Sequence, residues 1–458
     1  MRKVIDFQMK IGATPIEDIK FDLKSRDEIP KLLMGLQHIY KNLDLRREVF
    51  NILEEIIPEK IDITNGRSGM DLWKILVLGV LRLNCNWDYD KLKEIADNHN
   101  KIREMLGHVK FDNDVYPLQT LKDNIRLFTP EILGKINQVV VKAGHDVIGK
   151  KKDETLRGKG DSFVVETDVH FPTDISLLLD AMIKIITLIA RLCSDIGIIE
   201  WRQSYNNILK LKRLFNRIRK LKFLKLKDEN EQAEREKDII NAYEEYINVA
   251  QKYIDKAKNT KKIIEEQQFK KSDIEEIEKY IEHAERQIDQ IERRAIKGEK
   301  IDHSEKVFSI FEEHTEWINK GKIGVLCELG LNVCIIEDQH RFILNHCVME
   351  KTTDKQIVVP FVEATKELFP SLTSCSFDKG FYSGMNKEEL GKILDVVIIP
   401  KKGKLSVEEK KIENSEDFIL QRRKHSAIES AINGLENHGL DICPDHGIEG
   451  FERYVALA

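Results

Sequence analysis

Periodicity changes twice along this chain, and those two changes constrain the fold more than any single motif. Residues 161–169, DSFVVETDV, have the β-branched composition of a strand. Between Asp174 and Lys322 that pattern disappears and apolar residues recur at helical spacing. KIGVLCELGLNVCIIEDQ (322–339) and RFILNHCVME (341–350) then return to strand-like runs. A strand separated from its partners by a long helical stretch predicts a sheet domain carrying a helical insertion, 175–318.

Within that insertion, Asp174–Gly197 is apolar on most faces and predicts a buried helix. Two heptad stripes follow. One uses Ile239, Tyr243, Tyr246, Ala250, Tyr253 and Ala257; the other uses Ile274, Ile277, Ile281, Ala284, Ile288, Ile291 and Ala295. With a short link between them they predict an antiparallel coiled-coil hairpin. Residues 1–150 are helical in pattern. MDLWKILVLGVLRLNCN (70–86) is an apolar helix, Asn86-Trp87-Asp88 turns the chain, and DYDKLKEIADNH (88–99) begins with an acidic turn. This is the outline of a helix-turn-helix, which plain helical bundles share. Beyond 350 the pattern predicts a helix at 353–369, strands at 371–377 and 394–400, and a last helix at 424–438. The order predicts an α/β chain: an N-terminal helical, helix-turn-helix-like domain (1–150), and an RNase H-like catalytic domain (155–174 and 320–458) with a long helical insertion after its first strand.

Carboxylates stand at the chemically useful points of this plan. Asp161 and Asp168 bracket the first strand, Asp378 follows SCSF, and Glu429 lies inside RRKHSAIESAINGLENHGLD. Cutting a phosphodiester takes an activated oxygen nucleophile and a stabilised leaving oxygen. Two Mg²⁺ ions supply both, and hard cations require oxygen ligands. Asp378 and one first-strand aspartate from adjacent strands, with Glu429 from a helix on the sheet, could hold such a pair. Asp161 and Asp168 are seven positions apart, so they point to opposite faces of a regular strand and spacing alone leaves the choice open.

Charge and cysteine usage narrow the setting. The 458-residue chain has a net charge of −5, yet Arg202 to Lys227 holds ten Lys/Arg and no Asp or Glu. That stretch, with Arg213, Arg217 and Lys220, is a solvated basic helix face or a DNA-contacting one. Lys401, Lys402, Arg422 and Arg423 are further candidate phosphate contacts. Seven cysteines without a CxxC pair argue against a disulfide framework or zinc site. No apolar run predicts a membrane span or a signal peptide, and a cytoplasmic location is expected.

These elements resemble the DDE-type transposases of bacterial insertion sequences, in particular the ISNCY-like group. The resemblance is carried by GRSGMD (66–71), DSFVVETDVHFPTD (161–174), SFDKGFYS and the segment around Glu429. Its pattern D-[ST]-x-x-V, then H-x-P-x-D, matches Asp161-Ser162 and His170, Pro172 and Asp174, which implies Asp161 as the first-strand ligand with Asp168 as the alternative. Its D-x-G-[FY] element matches Asp378, Gly380 and Phe381. The lysine that some related groups carry after the glutamate is missing, since Leu435 and Glu436 stand there. The resemblance implies a DNA transposase that uses Asp161, Asp378 and Glu429 to hold two Mg²⁺ ions. It would bind terminal inverted repeats, cleave and join strands into target DNA, and act as a homodimer on double-stranded DNA. It also implies a further helix past YVALA, so a truncated copy is expected here. The alternatives are an inactive or truncated DNA-binding derivative, or another RNase H-like metal nuclease.

Overall fold

The structure is a computed structural model that describes residues 3–5, 11–57, 69–109, 112–223, 229–266, 271–319 and 327–458. Gly66–Ser68 of the GRSGMD element, Lys225 and Lys227 of the basic stretch, and 322–326 of the expected second strand lie outside them. The chain divides into two compact units, Met1–Asp168 with Ile318–Ala458, and Val169–Trp317.

The first unit is built on a mixed sheet. Its strands include β1 (Leu156–Thr167), β2 (Glu328–Glu337), β3 (Ile343–Met349), β4 (Leu372–Ser376), β5 (Val396–Ile398) and β6 (Ile442–Cys443). The order is β3-β2-β1-β4-β5, with β6 also beside β1. β2 is antiparallel to β1 and β3 to β2, whereas β4 and β6 run parallel to β1 and β5 runs parallel to β4. β1 begins five residues earlier than the sequence pattern predicts. Gly158 and Gly160 weaken the strand signal there. A Cβ on Gly160 would sit 2.2 Å from the Phe377 ring, and one on Gly158 would sit 2.7 Å from Cys375 Sγ. The missing side chains are what let the layer over β4 close against β1.

Helices α1 (Ile29–Lys41), α2 (Leu43–Glu54), α3 (Leu72–Asn84), α4 (Tyr89–Asn98), α5 (Asn100–Met105), α6 (Leu118–Ile125) and α7 (Pro130–Val147) precede the sheet. Side chains of Asn42, Asp88 and Thr129 cap α2, α4 and α7. α3 is buried on nearly every side, as its apolar run dictates. Leu33, Trp73 and Leu78 from these helices share one core with Phe163, Val165, Val333 and Ile335 from the sheet. The expected boundary near residue 150 is therefore not a boundary between compact units.

The second unit holds α8 (Asp174–Asp195), α9 (Ser204–Phe223), α10 (Glu229–Glu265) and α11 (Lys271–Ile291). Thr173, not Asp174, caps α8, through a reciprocal pair of hydrogen bonds with Ser176. Asp174 instead pairs with Arg294 at 3.0 Å. The heptad stripes do not form an isolated two-stranded coil. α11 packs mainly along α8, while α10 packs on α9 and α8. Tyr246 of the first stripe donates its hydroxyl to the Ile175 carbonyl at 3.1 Å. The reason lies in α8, which is apolar on too many faces to be covered by one neighbour.

The C-terminal part adds α12 (Asp354–Leu368), α13 (Gly384–Ile393), α14 (Val407–Glu413), α15 (Glu416–His425), α16 (Ile428–Leu435) and α17 (Ile448–Leu457). The single helix expected over 424–438 is thus divided. The Ser426 hydroxyl donates back to the Arg423 carbonyl at 2.8 Å, where α15 ends. Gly439, at φ 108°, then turns the chain in a conformation that L side chains rarely adopt. α17, not the expected helix, is the last element, and its Phe451, Tyr454, Val455 and Leu457 enter the main core.

One buried ion pair ties this C-terminal part to α3. Arg82, 1% exposed, donates to both carboxylate oxygens of Asp445 at 3.1 and 2.7 Å. Its guanidinium also lies 3.9 Å above the Tyr89 ring. Asp445→Ala strands a buried cation, which costs roughly 3–5 kcal/mol. The expected outcome is a lower urea midpoint with an unchanged denaturant slope; a loss under about 1 kcal/mol, the range of exposed pairs, would contradict this account.

Candidate functional site

Register sets the geometry of the expected carboxylates. β1 and β4 run parallel with Lys159 opposite Ser376. Asp161 lies two residues past Lys159 within β1, and Asp378 lies two residues past Ser376, beyond the last paired position of β4. Asp161 lies within β1, half-buried, opposite Ile335 of β2. One of its oxygens accepts the Ser162 N–H at 2.8 Å. Asp378 is exposed just past the end of β4, and its Oδ1 accepts the Gly380 N–H at 2.7 Å. Asp168 is exposed beyond the end of β1. It lies seven residues from Asp161, roughly 23 Å along a strand, and is not level with Asp378.

Glu429 is exposed in the first turn of α16, beside the fully buried Ile428, and α16 packs on β1. His425 links these groups. Its Nδ1 is 3.1 Å from the Ser376 hydroxyl. Burial holds its pKa below the ordinary histidine value, opposed by the charges of Asp378 and Glu429 and assisted by Lys159.

A further carboxylate was hidden from the sequence reading. Asp354, in the first turn of α12, accepts the Ser162 hydroxyl at 2.7 Å. A Cβ on Gly380 would lie 2.9 Å from Asp378 Oδ1 and 3.1 Å from Asp354 Oδ2, so those two oxygens are no farther apart than about 6 Å, the sum of these distances. Gly380 is needed here for space between two carboxylates, since its φ is not in the left-handed region. The visible signal at Asp354 was Thr353-x-x-Gln356, a capping box that marks a helix start and disguises an acidic site residue as a dipole-compensating one.

The tightest ligand-type cluster lies elsewhere. Among the described residues, the set of three or more His, Cys, Asp or Glu whose ligand atoms all fall within 4.8 Å of one another is His108, Asp112 and Asp114. Asp161, Asp378 and Glu429 do not form such a set. At His108 both ring nitrogens are engaged, at 3.0 Å from Asp112 and 2.6 Å from the Tyr116 hydroxyl. Arg103 donates to the carbonyls of Asp112 and Asp114 at 2.7 and 2.9 Å. These contacts fix a loop.

The expected basic contacts divide by partner. Lys401 donates to both oxygens of Glu409 at 2.8 Å, and this pairing pulls the Glu409 carboxyl down to about 2. Its charge is neutralised locally. Arg217 pairs with Glu245 at 2.6 Å. Lys402, Arg422 and Arg423 are exposed, as are Arg213 and Lys220 on the outer face of α9, whose inner face buries Leu211, Leu214 and Ile218. Sequence reasoning missed a cavity of about 340 Å³ on the sheet, lined by Arg157, Lys159, Arg341, Lys424, Ser374 and Ser376. Arg157 and Lys159 were concealed because Gly158 and Gly160 beside them obscured the strand.

Compared with known proteins, the chain matches no family model, no curated protein and no solved structure.

His346 of β3 pairs with Ile335 and so shares a cross-strand row with Asp161. Burial pushes its pKa down to about 4. The unfolded chain therefore takes up a proton near pH 6.5 that the folded chain refuses until about pH 4, so stability is fully present above 6.5 and falls as pH falls. At 1.36 kcal/mol per unit, lowering the pH from 7 to 5 costs about 2 kcal/mol through this group. His346→Gln should flatten that limb in urea titrations at the two pH values; an unchanged slope would remove His346 as its source.

Proposed function

We propose that this chain is a metal-dependent DNA transposase of an insertion sequence, working through Asp161, Asp378 and Glu429 on an RNase H-like sheet. The observation that supports the reading is the parallel pairing of β1 with β4 as far as Lys159 and Ser376, two residues before Asp161 and Asp378, with Glu429 on the helix packed against β1. The strand order β3-β2-β1-β4-β5, antiparallel and then parallel, with a helical unit between β1 and β2, supports the RNase H-like assignment.

The donor set suits Mg²⁺: it is made of carboxylate oxygens, open to solvent or half-buried, with Asp354 within about 6 Å of Asp378. Bound there, the ions would activate the attacking oxygen and stabilise the leaving one. The remaining roles fall to the chain itself. Ser162 holds Asp354, Gly380 leaves room between Asp354 and Asp378, and His425 braces Ser376. Arg157 and Lys424 line the cavity beside them and would receive backbone phosphates. The DNA substrate would be terminal inverted repeats and target, held by a homodimer, with Arg213, Lys220, Lys402, Arg422 and Arg423 as contacts.

A second reading is an inactive DNA-binding derivative. Its support is that the three carboxylates do not gather into a set within 4.8 Å.

Asp378→Asn should lower Mg²⁺-dependent cleavage of end-sequence DNA by about 100-fold or more, because one oxyanion ligand of a hard cation is lost. Binding of the same DNA, measured by mobility shift, should change less than about 3-fold, since phosphate contacts set most affinity. Cleavage by the variant at the wild-type rate would refute the metal assignment. A wild-type chain that binds but never cuts would establish the second reading.

A further inference from the structure

The helical unit contains a cavity of about 670 Å³ that the cleavage chemistry does not use. Its size suits one small ligand. Phe171, Phe215, Phe223 and Tyr243 line it, together with Arg219 and Lys222. Two of the rings are left open to solvent, Phe223 at 78% and Phe171 at 53% exposure, an unusual state for phenylalanine.

The acids of the cavity are already matched. Asp174 pairs with Arg294 at 3.0 Å and Asp180 with His170 at 2.7 Å. Arg219 and Lys222 are not matched in this way. They lie over aromatic rings, Arg219 5.5 Å from Phe215 and Lys222 5.3 Å from Tyr243. Among the described residues neither has a carboxylate within 4.0 Å. The cavity thus offers flat π-faces and two cations that no described carboxylate pairs. A ligand that matches both carries a planar ring and a negative group.

From this juxtaposition we infer that the cavity binds a nucleotide, its base against Phe223 and the neighbouring rings and its phosphate on Arg219 and Lys222. The nucleotide is either one unit of a DNA strand or a free mononucleotide. Stacking on aromatic faces accepts any base, so recognition here is independent of sequence. The strand source rests on the transposase reading; the binding readout needs no metal and no cleavage, so either can fail without the other.

The test uses the full chain and fluorescence anisotropy with a labelled 12-nucleotide oligothymidylate, its fully abasic counterpart, and unlabelled thymidine monophosphate as competitor. Phe223→Ser removes an exposed ring, and Arg219→Gln with Lys222→Gln removes two exposed cations; thermal melting checks that both variants fold. The wild type should prefer the base-bearing strand over the abasic one by about 10-fold or more, and Phe223→Ser should reduce that preference to near unity. The cation variant should weaken the base-bearing strand by a similar factor. Binding of the monophosphate alone, lost in both variants, would support the nucleotide site and assign it to free nucleotides. Equal affinity for base-bearing and abasic strands, with no monophosphate binding, would overturn the inference. So would variants that bind both probes as the wild type does.

Discussion

Everything in the first unit depends on β1 being paired along both edges. One edge carries the antiparallel ladder from Lys159–Glu337 to Glu166–Gly330; the other carries β4 at one end and β6 at the other. Two features fix that register. Lys159 and Glu337 stand directly opposite each other and form a buried ion pair. A slip by one residue would send each to the other face and leave both charges unpaired, which burial penalises heavily. At the far end, a Cβ on Gly330 would lie 2.0 Å from the Val165 carbonyl oxygen, so only glycine permits the approach there.

What was legible in the sequence was periodic; what was not depended on distant partners. Val164 and Val165 announced β1, but the residues before Asp161 did not, because Gly158 and Gly160 make sense only with Cys375 and Phe377 packed above them. Both heptad stripes gave helices, yet neither could reveal that α8 was their main shared neighbour. Helical spacing continued through Ser426, where a side-chain bond to Arg423 marks the end of α15. The basic candidates were visible as charges, but their availability was not. Lys401 and Arg217 find Glu409 and Glu245 only once loops and helices fold back. Asp354 falls at a helix start in the sequence pattern, and its link to Ser162 spans 192 residues.

Acidic groups serve two different ends in this unit. At His108, carboxylates are spent on hydrogen bonds to a ring nitrogen and to the backbone, which hold a loop in one shape. Around Asp161, Asp354 and Asp378, carboxylate oxygens accept from a neighbouring N–H or hydroxyl. Carboxylates close together repel and favour proton uptake unless a cation joins them. The first group gains rigidity from its charges, and the second would gain from a cation held between its members.

The wide separation of β1 from its partners also sets an order of events during synthesis. When β1 leaves the ribosome, β2, β4 and β6 have not been made. The second unit, Val169–Trp317, is continuous in sequence and has its own core, so it can pack while the sheet waits. At 5–20 residues per second, β1 spends roughly 10–30 s with both edges open before β2 is complete. Open edges invite pairing with other chains. Arg157, Lys159, Asp161 and Glu166 are spaced along this strand, and charges so placed oppose such pairing. The charges that later help to fix register therefore also guard the nascent chain.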